Sequence, residues 1–209
     1  MSDAKISLLN EKTSVVLKAA ASVFLTHGFS AATTDMIQRK ASVSKATLYA
    51  CFSNKEAMFA AVIEQECAKM ASTIKEIQIS TGDLSMTLTK IGISYLNIVL
   101  APSGLALFRV VSAEAPRFPD LGRRFYLAGP RTVSTLVAEH IKKAMENHQI
   151  DVGLIGVDAA AMLFISLIRA EGQMECLMHP HSEPSAVQKD YWVDTAVNTF
   201  MNAYRLSSR

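Results

Sequence analysis

Cysteine, proline and glycine are scarce in this 209-residue chain, at three, six and nine residues. The cysteines, Cys51, Cys67 and Cys176, are odd in number and follow no paired spacing, which argues against a disulfide framework and for free thiols in a reducing compartment. No low-complexity segment or internal repeat is evident, and runs of alternating β-branched residues are too few for a sheet. No uninterrupted apolar stretch approaches the roughly 18 residues of a bilayer span. The nearest, 159–168, stops at Arg169 and Glu171. The first residues lack the cationic start and apolar run of a secretory signal, so the expectation is a cytoplasmic protein with no membrane partner. There is no Gly-rich phosphate loop, nucleophile elbow or metal-binding helix motif. The chain is therefore read as not an enzyme, with no catalytic residue, no metal and no cofactor.

What is present is apolar sequence in helical register. Half of the residues are hydrophobic and only 19% are charged, enough for a substantial core. The formal charge of +2 is unevenly placed. Residues 1–55 carry seven basic groups against three acidic ones, and the remainder carries fourteen against sixteen. A positive head on a slightly negative body suits a polyanion-binding module, although such an excess is often only a solvated face.

Apolar residues recur at steps of three and four, which predicts an all-α protein. A first helix is expected over 8–27 with Gly28 as its stop, and a short second one from Thr34 to Ala41. Ser42, Val43 and Ser44 interrupt before a third helix, Lys45 to Cys51, capped by Ser44. Asn54 opens a long fourth helix expected to reach about Ile79, before a loop at 80–83. Further helices are expected over 84–100, 104–117, 121–147, 157–178 and 185–206, with Pro130 kinking or splitting the third of these.

Two short helices joined by three residues form a helix-turn-helix, which sets the start of its second helix against base edges in the major groove. With Leu48 and Phe52 facing inward, Lys45, Ala46, Thr47 and Tyr49 point outward. Thr33, Thr34, Tyr49 and Lys55 can donate to phosphate oxygens. The order of Phe24-x3-Gly28-Phe29, Thr33-Thr34-x2-Ile37, Ala41 through Tyr49 and Phe52-x-Asn54-Lys55-Glu56-x2-Phe59 resembles the TetR/AcrR family of bacterial transcriptional regulators over roughly the first 65 residues. The resemblance implies a three-helix DNA-binding head over 1–55 and a helical effector-binding and dimerisation domain over 56–209. It also implies a homodimer on a palindromic double-stranded operator, released from it by a small apolar or amphipathic effector of unknown identity. Carried over by position, Thr33, Thr34, Tyr49 and Lys55 become phosphate contacts, and Lys45, Ala46 and Thr47 the base-reading segment. Ala50 and Cys51 depart from the large polar or aromatic side chains common there.

Several residues admit a functional and a plainer reading. Cys51 could be a redox switch on the recognition helix or a small semi-buried side chain. Cys176, His179, His181 and Glu175 could hold zinc, or could be incidental to a loop. Tyr95, Phe108, Val111 and Phe125 are candidates to line an effector pocket. Ala160, Leu163, Leu167, Trp192, Val193, Val197 and Phe200 are candidates for a four-helix dimer interface, or for burial within one chain.

Overall fold

A computed structural model describes residues 3–77 and 83–206. The described residues are helical: α1 Asp3–Ala31, α2 Thr34–Ala41, α3 Lys45–Cys51, α4 Lys55–Lys75, α5 Leu84–Val99, α6 Pro102–Glu114, α7 Pro119–Tyr126, α8 Thr132–Glu146, α9 Val157–Met178 and α10 Ala186–Tyr204. The expected continuation of α4 to Ile79 and most of the loop after it lie outside the described residues. The expected 121–147 helix is split at Pro130, which sits in a π-helical turn, Leu127–Arg131, between α7 and α8. A proline has no N–H to give and its ring collides with the preceding turn, so the helix opens there.

Two compact units emerge, and neither ends at residue 55. The first comprises residues 1–68 with 106–128; the second comprises 69–105 with 129–209. The three helices before residue 55 bury only a small core by themselves. The first turns of α4 complete it with Met58, Phe59, Val62, Ile63 and Cys67, and α6 and α7 add Leu107, Val111 and Leu121, all buried with Val16, Ala20, Phe24, Ile37 and Leu48. Burial pushes the Cys67 thiol up to about 12, with Glu66 adding to the effect. Over 10–31 α1 is long and apolar enough to be considered for a membrane, but its Val16, Ala19, Ala20, Val23 and Phe24 are the floor of this core.

The second unit packs α5, α8, α9 and α10 around Leu88, Ile91, Tyr95, Val137, Ile141, Phe164, Ile168, Val193 and Phe200. Close approach of α10 to its neighbours depends on glycine. A β-carbon on Gly172 would sit 2.7 Å from the Trp192 ring, and one on Gly92 would sit 2.8 Å from Val193. At the far end of α10, Asp151 donates its N–H to the Tyr204 carbonyl at 2.8 Å, fastening the helix to the segment after α8.

One side chain here is poorly provided for. His140 on α8 has a buried Nδ1 without a partner among the described residues. Burial, then Lys143, hold its pKa below the ordinary imidazole value of 6.5, while Glu139 works the other way. The unfolded chain therefore accepts a proton that the folded chain resists, and folding stability falls as the pH drops through about 6.5. Denaturant midpoints at pH 7.5 and 5.5 should show this loss in the native sequence, and a His140→Gln variant should show a smaller one.

Candidate nucleic-acid interface

The first unit builds its exposed edge from local rules. At Gly28 the backbone of α1 breaks, with φ 77° and ψ 167°, a conformation glycine adopts without penalty. The chain then turns Phe29 inward, where its ring meets Phe24 at 5.8 Å, Phe59 at 5.1 Å and Phe118 at 5.0 Å. Thr33 caps α2, its hydroxyl oxygen accepting the Met36 N–H at 3.2 Å. Ser42 ends α2 in the left-handed region at φ 53°, with its own N–H returned to the Arg39 carbonyl. Ser44 caps α3 by accepting the Thr47 N–H at 3.1 Å. Thr33 and Ser44 each satisfy a donor and Ser42 an acceptor that the helices leave open, and together they fix the angle between the two short helices.

Ile37, Ala41 and Leu48 turn inward, while Thr33, Lys45, Ala46 and Tyr49 are exposed and Thr34 and Thr47 are half-buried. The Tyr49 hydroxyl reaches the Thr34 hydroxyl at 3.5 Å, joining the start of α2 to the middle of α3. Lys45 lies 3.8 Å from Asp35, with both side chains well over half exposed, a pairing a phosphate could readily displace. Arg39 and Lys40, in the last turn of α2, add exposed positive charge that the sequence reading did not assign. The N-terminus of α2, capped by Thr33, carries the partial positive charge that favours an oxyanion.

Lys55 departs from its assigned place as a phosphate contact. Its ammonium donates to the carbonyls of Phe29 at 2.9 Å and Ala32 at 3.1 Å, and lies 4.4 Å from the Phe29 ring centroid. It is half-buried and ties the end of α1 to the start of α4. Only one of its three N–H donors is left for another partner. Glu114 accepts the Ser30 N–H at 3.1 Å and its hydroxyl at 2.5 Å. A second tie to α4 runs from Arg124 on α7 to Glu64 at 2.6 Å. These links join residues far apart in sequence, and no local pattern signals them.

The other assigned residues are dispersed. Tyr95 is buried in the second unit, whereas Phe108, Val111 and Phe125 belong to the first. Phe108 and Phe125 meet edge to face at 6.2 Å, and Val111 is part of the core beneath α1. Five residues assigned to a dimer interface, Ala160, Trp192, Val193, Val197 and Phe200, are buried within the second unit and already used there. The faces of α9 and α10 that fill the core carry these side chains, so the plainer reading holds for them. Leu163 is 40% exposed and Leu167 half-buried. The apolar residues that α9 and α10 leave uncovered are Met162, Leu163, Met174, Met178, Val187 and Tyr191. Cys176 is buried while His179 and His181 are exposed, so that trio does not assemble, and no metal-binding group occurs among the described residues. Cys51 is half-buried.

Two family models match the chain. Residues 16–62 match the bacterial regulatory proteins of the tetR family, and residues 86–206 match the C-terminal domain of AefR-like transcriptional repressors. The chain is 26% identical over 138 residues to YvkB of Bacillus subtilis (strain 168), an uncharacterized HTH-type transcriptional regulator, a match covering 66% of this chain and 70% of the relative. A TetR-family regulator from Mesorhizobium loti superposes with a TM-score of 0.88 at 21% identity, over 95% of this chain and 98% of that one. The flavonoid-responsive regulator FrrA superposes with a TM-score of 0.80 at 30% identity, over 95% of this chain and all of that one.

Because the Lys55 ammonium is committed to two carbonyls, Lys55→Met should cost about 1.5–3 kcal/mol of folding stability in urea denaturation, the range for hydrogen bonds to a charged group. Lys45→Ala, removing an exposed group, should change stability by no more than about 0.5 kcal/mol.

Proposed function

The chain belongs to the TetR family of bacterial regulatory proteins, and from that premise we propose that it is a cytoplasmic, ligand-responsive repressor that binds a palindromic operator as a homodimer. The observation that carries the DNA side of this reading is the exposed edge of α2 and α3. Lys45, Ala46 and Thr47 stand at the start of a capped helix, with Thr33, Thr34 and Tyr49 hydroxyls beside them. In the major groove, Lys45 donates to base edges, the small Ala46 allows close approach, and its methyl suits thymine. The hydroxyls and the N-terminus of α2 hold the phosphates on either side and fix the register.

One helix of seven residues reaches too few bases to select a site, so two heads are needed. The uncovered apolar faces of α9 and α10 supply the surface for a second copy. Met162, Leu163, Met174 and Met178 lie along α9, and Val187 and Tyr191 along α10, and an isologous pairing buries all of them twice. Repression is the direction favoured by the match to AefR-like repressors. The effector is an apolar or amphipathic small molecule, and a planar polyphenol is the first class to try, because the relative FrrA is flavonoid-responsive. Ligand and operator each favour a different head arrangement, so each weakens the other's binding.

A double variant, Lys45→Ala with Tyr49→Phe, tests the placement of the recognition helix by fluorescence anisotropy on DNA from upstream of its own gene. Affinity should fall at least tenfold while the sedimentation coefficient and melting temperature stay unchanged. Unaltered affinity would place the DNA-reading surface elsewhere.

A further inference from the structure

Between positions 12 and 55 the chain carries six lysines and arginines and a single acidic residue, Asp35. That one carboxylate lies on the edge that α2 and α3 present together. Asp35 is in the first turn of α2, next to Thr34, whose hydroxyl meets that of Tyr49 on α3 at 3.5 Å. Its Oδ1 lies 3.8 Å from the ammonium of Lys45, the first residue of α3, and the two side chains are 60% and 65% exposed. The Asp35 carboxylate accepts no hydrogen bond among the described residues.

A carboxylate here works against a surface that holds phosphates. It repels the backbone of a duplex and so opposes the attraction that Arg39, Lys40 and Lys45 supply. Its benefit to the fold is small. Thr33 already caps α2, an exposed charge gains little from the helix dipole, and an exposed ion pair stabilises little. On DNA a carboxylate gains at base edges, where cytosine N4 offers it a donor.

Lys45 beside it narrows the choice of base pair. Across the major groove a C·G pair sets the cytosine N4 donor beside two guanine acceptors, O6 and N7. A carboxylate and an ammonium side by side match that order. An A·T pair matches it less well, because the adenine N7 acceptor adjoins the N6 donor and repels the carboxylate, and the thymine methyl group adjoins O4.

We propose that Asp35 determines sequence specificity, and that with Lys45 it reads one C·G base pair in each half of the operator, Asp35 on the cytosine and Lys45 on the guanine. This rests on the DNA-binding reading of α2 and α3 above and adds to it the identity of one base pair.

The test is selection from a pool of duplexes of randomised sequence by the full chain and by D35A, D35N and K45A, with sequencing of what each retains. The native chain should enrich a palindrome with a C·G pair in each half that D35A no longer demands. Preference for cytosine at that position should fall by about tenfold in D35A, the effect of one good base contact, while the other positions keep theirs. D35N, whose amide can pair with adenine, should move that position toward adenine, and K45A should relax the same base pair. D35A should also hold unselected duplex more tightly than the native chain, because a repulsion is gone. Melting temperatures measured alongside separate a role in the fold, which would move stability and leave base preference alone. Should D35A fail to fold, D35N carries the comparison. An unchanged consensus in the Asp35 variants, an affinity loss equal at every position, or an Asp35-dependent position that is not C·G would overturn the assignment and leave the regulator standing. Enrichment of no sequence by the native chain would overturn both.

Discussion

The seat of the Lys55 ammonium, on the carbonyls of Phe29 and Ala32 and over the Phe29 ring, is the point on which the first unit depends. The break at Gly28 leaves carbonyls at the end of α1 that the helix no longer uses, and Lys55 answers two of them from the first residue of α4. This brings four aromatic rings, Phe24, Phe29, Phe59 and Phe118, into one cluster from α1, α4 and the start of α7. The exposed edge of α2 and α3 begins at Thr33, one residue beyond Ala32, so its position is inherited from this junction. The bonds from Ser30 to Glu114 bring α6 to the same place. A shift in α6 therefore acts on the residues that lead into α2.

Helix positions were legible in the sequence wherever capping chemistry is local. Thr33, Ser44, Asp83 and Ser185 all cap helices through their own side chains, and the boundaries of α2, α3, α5 and α10 follow from them to within a residue or two. The helix-turn-helix and its outward residues were legible for the same reason. The boundary at residue 55 was not. The Met58, Phe59, Val62 and Ile63 stripe shows that α4 buries a face, but the sequence does not say against which helices. The inward and outward faces of α9 and α10 were equally hidden. Both helices are apolar on most sides, so periodicity alone could not tell the side that meets α5 from the side left uncovered. Lys55 illustrates the same limit. A lysine at a helix start suits a phosphate or a pair of carbonyls equally well, and only the fold decides between them.

The first unit displays positive charge, with Arg39, Lys40 and Lys45 exposed beside the Thr33 and Tyr49 hydroxyls, as a surface for a polyanion requires. That arrangement suits a long, fixed ladder of phosphates.

The central claim is that the edge of α2 and α3 binds double-stranded DNA, and a salt titration of that binding tests it most directly. The duplex is the DNA upstream of the gene encoding this chain, with a scrambled duplex of equal length beside it. The account predicts tight binding that prefers the natural duplex, at two or four chains per site, with affinity falling steeply and log-linearly as salt is added because phosphate contacts release counterions. Absence of binding to either duplex at low salt would contradict it.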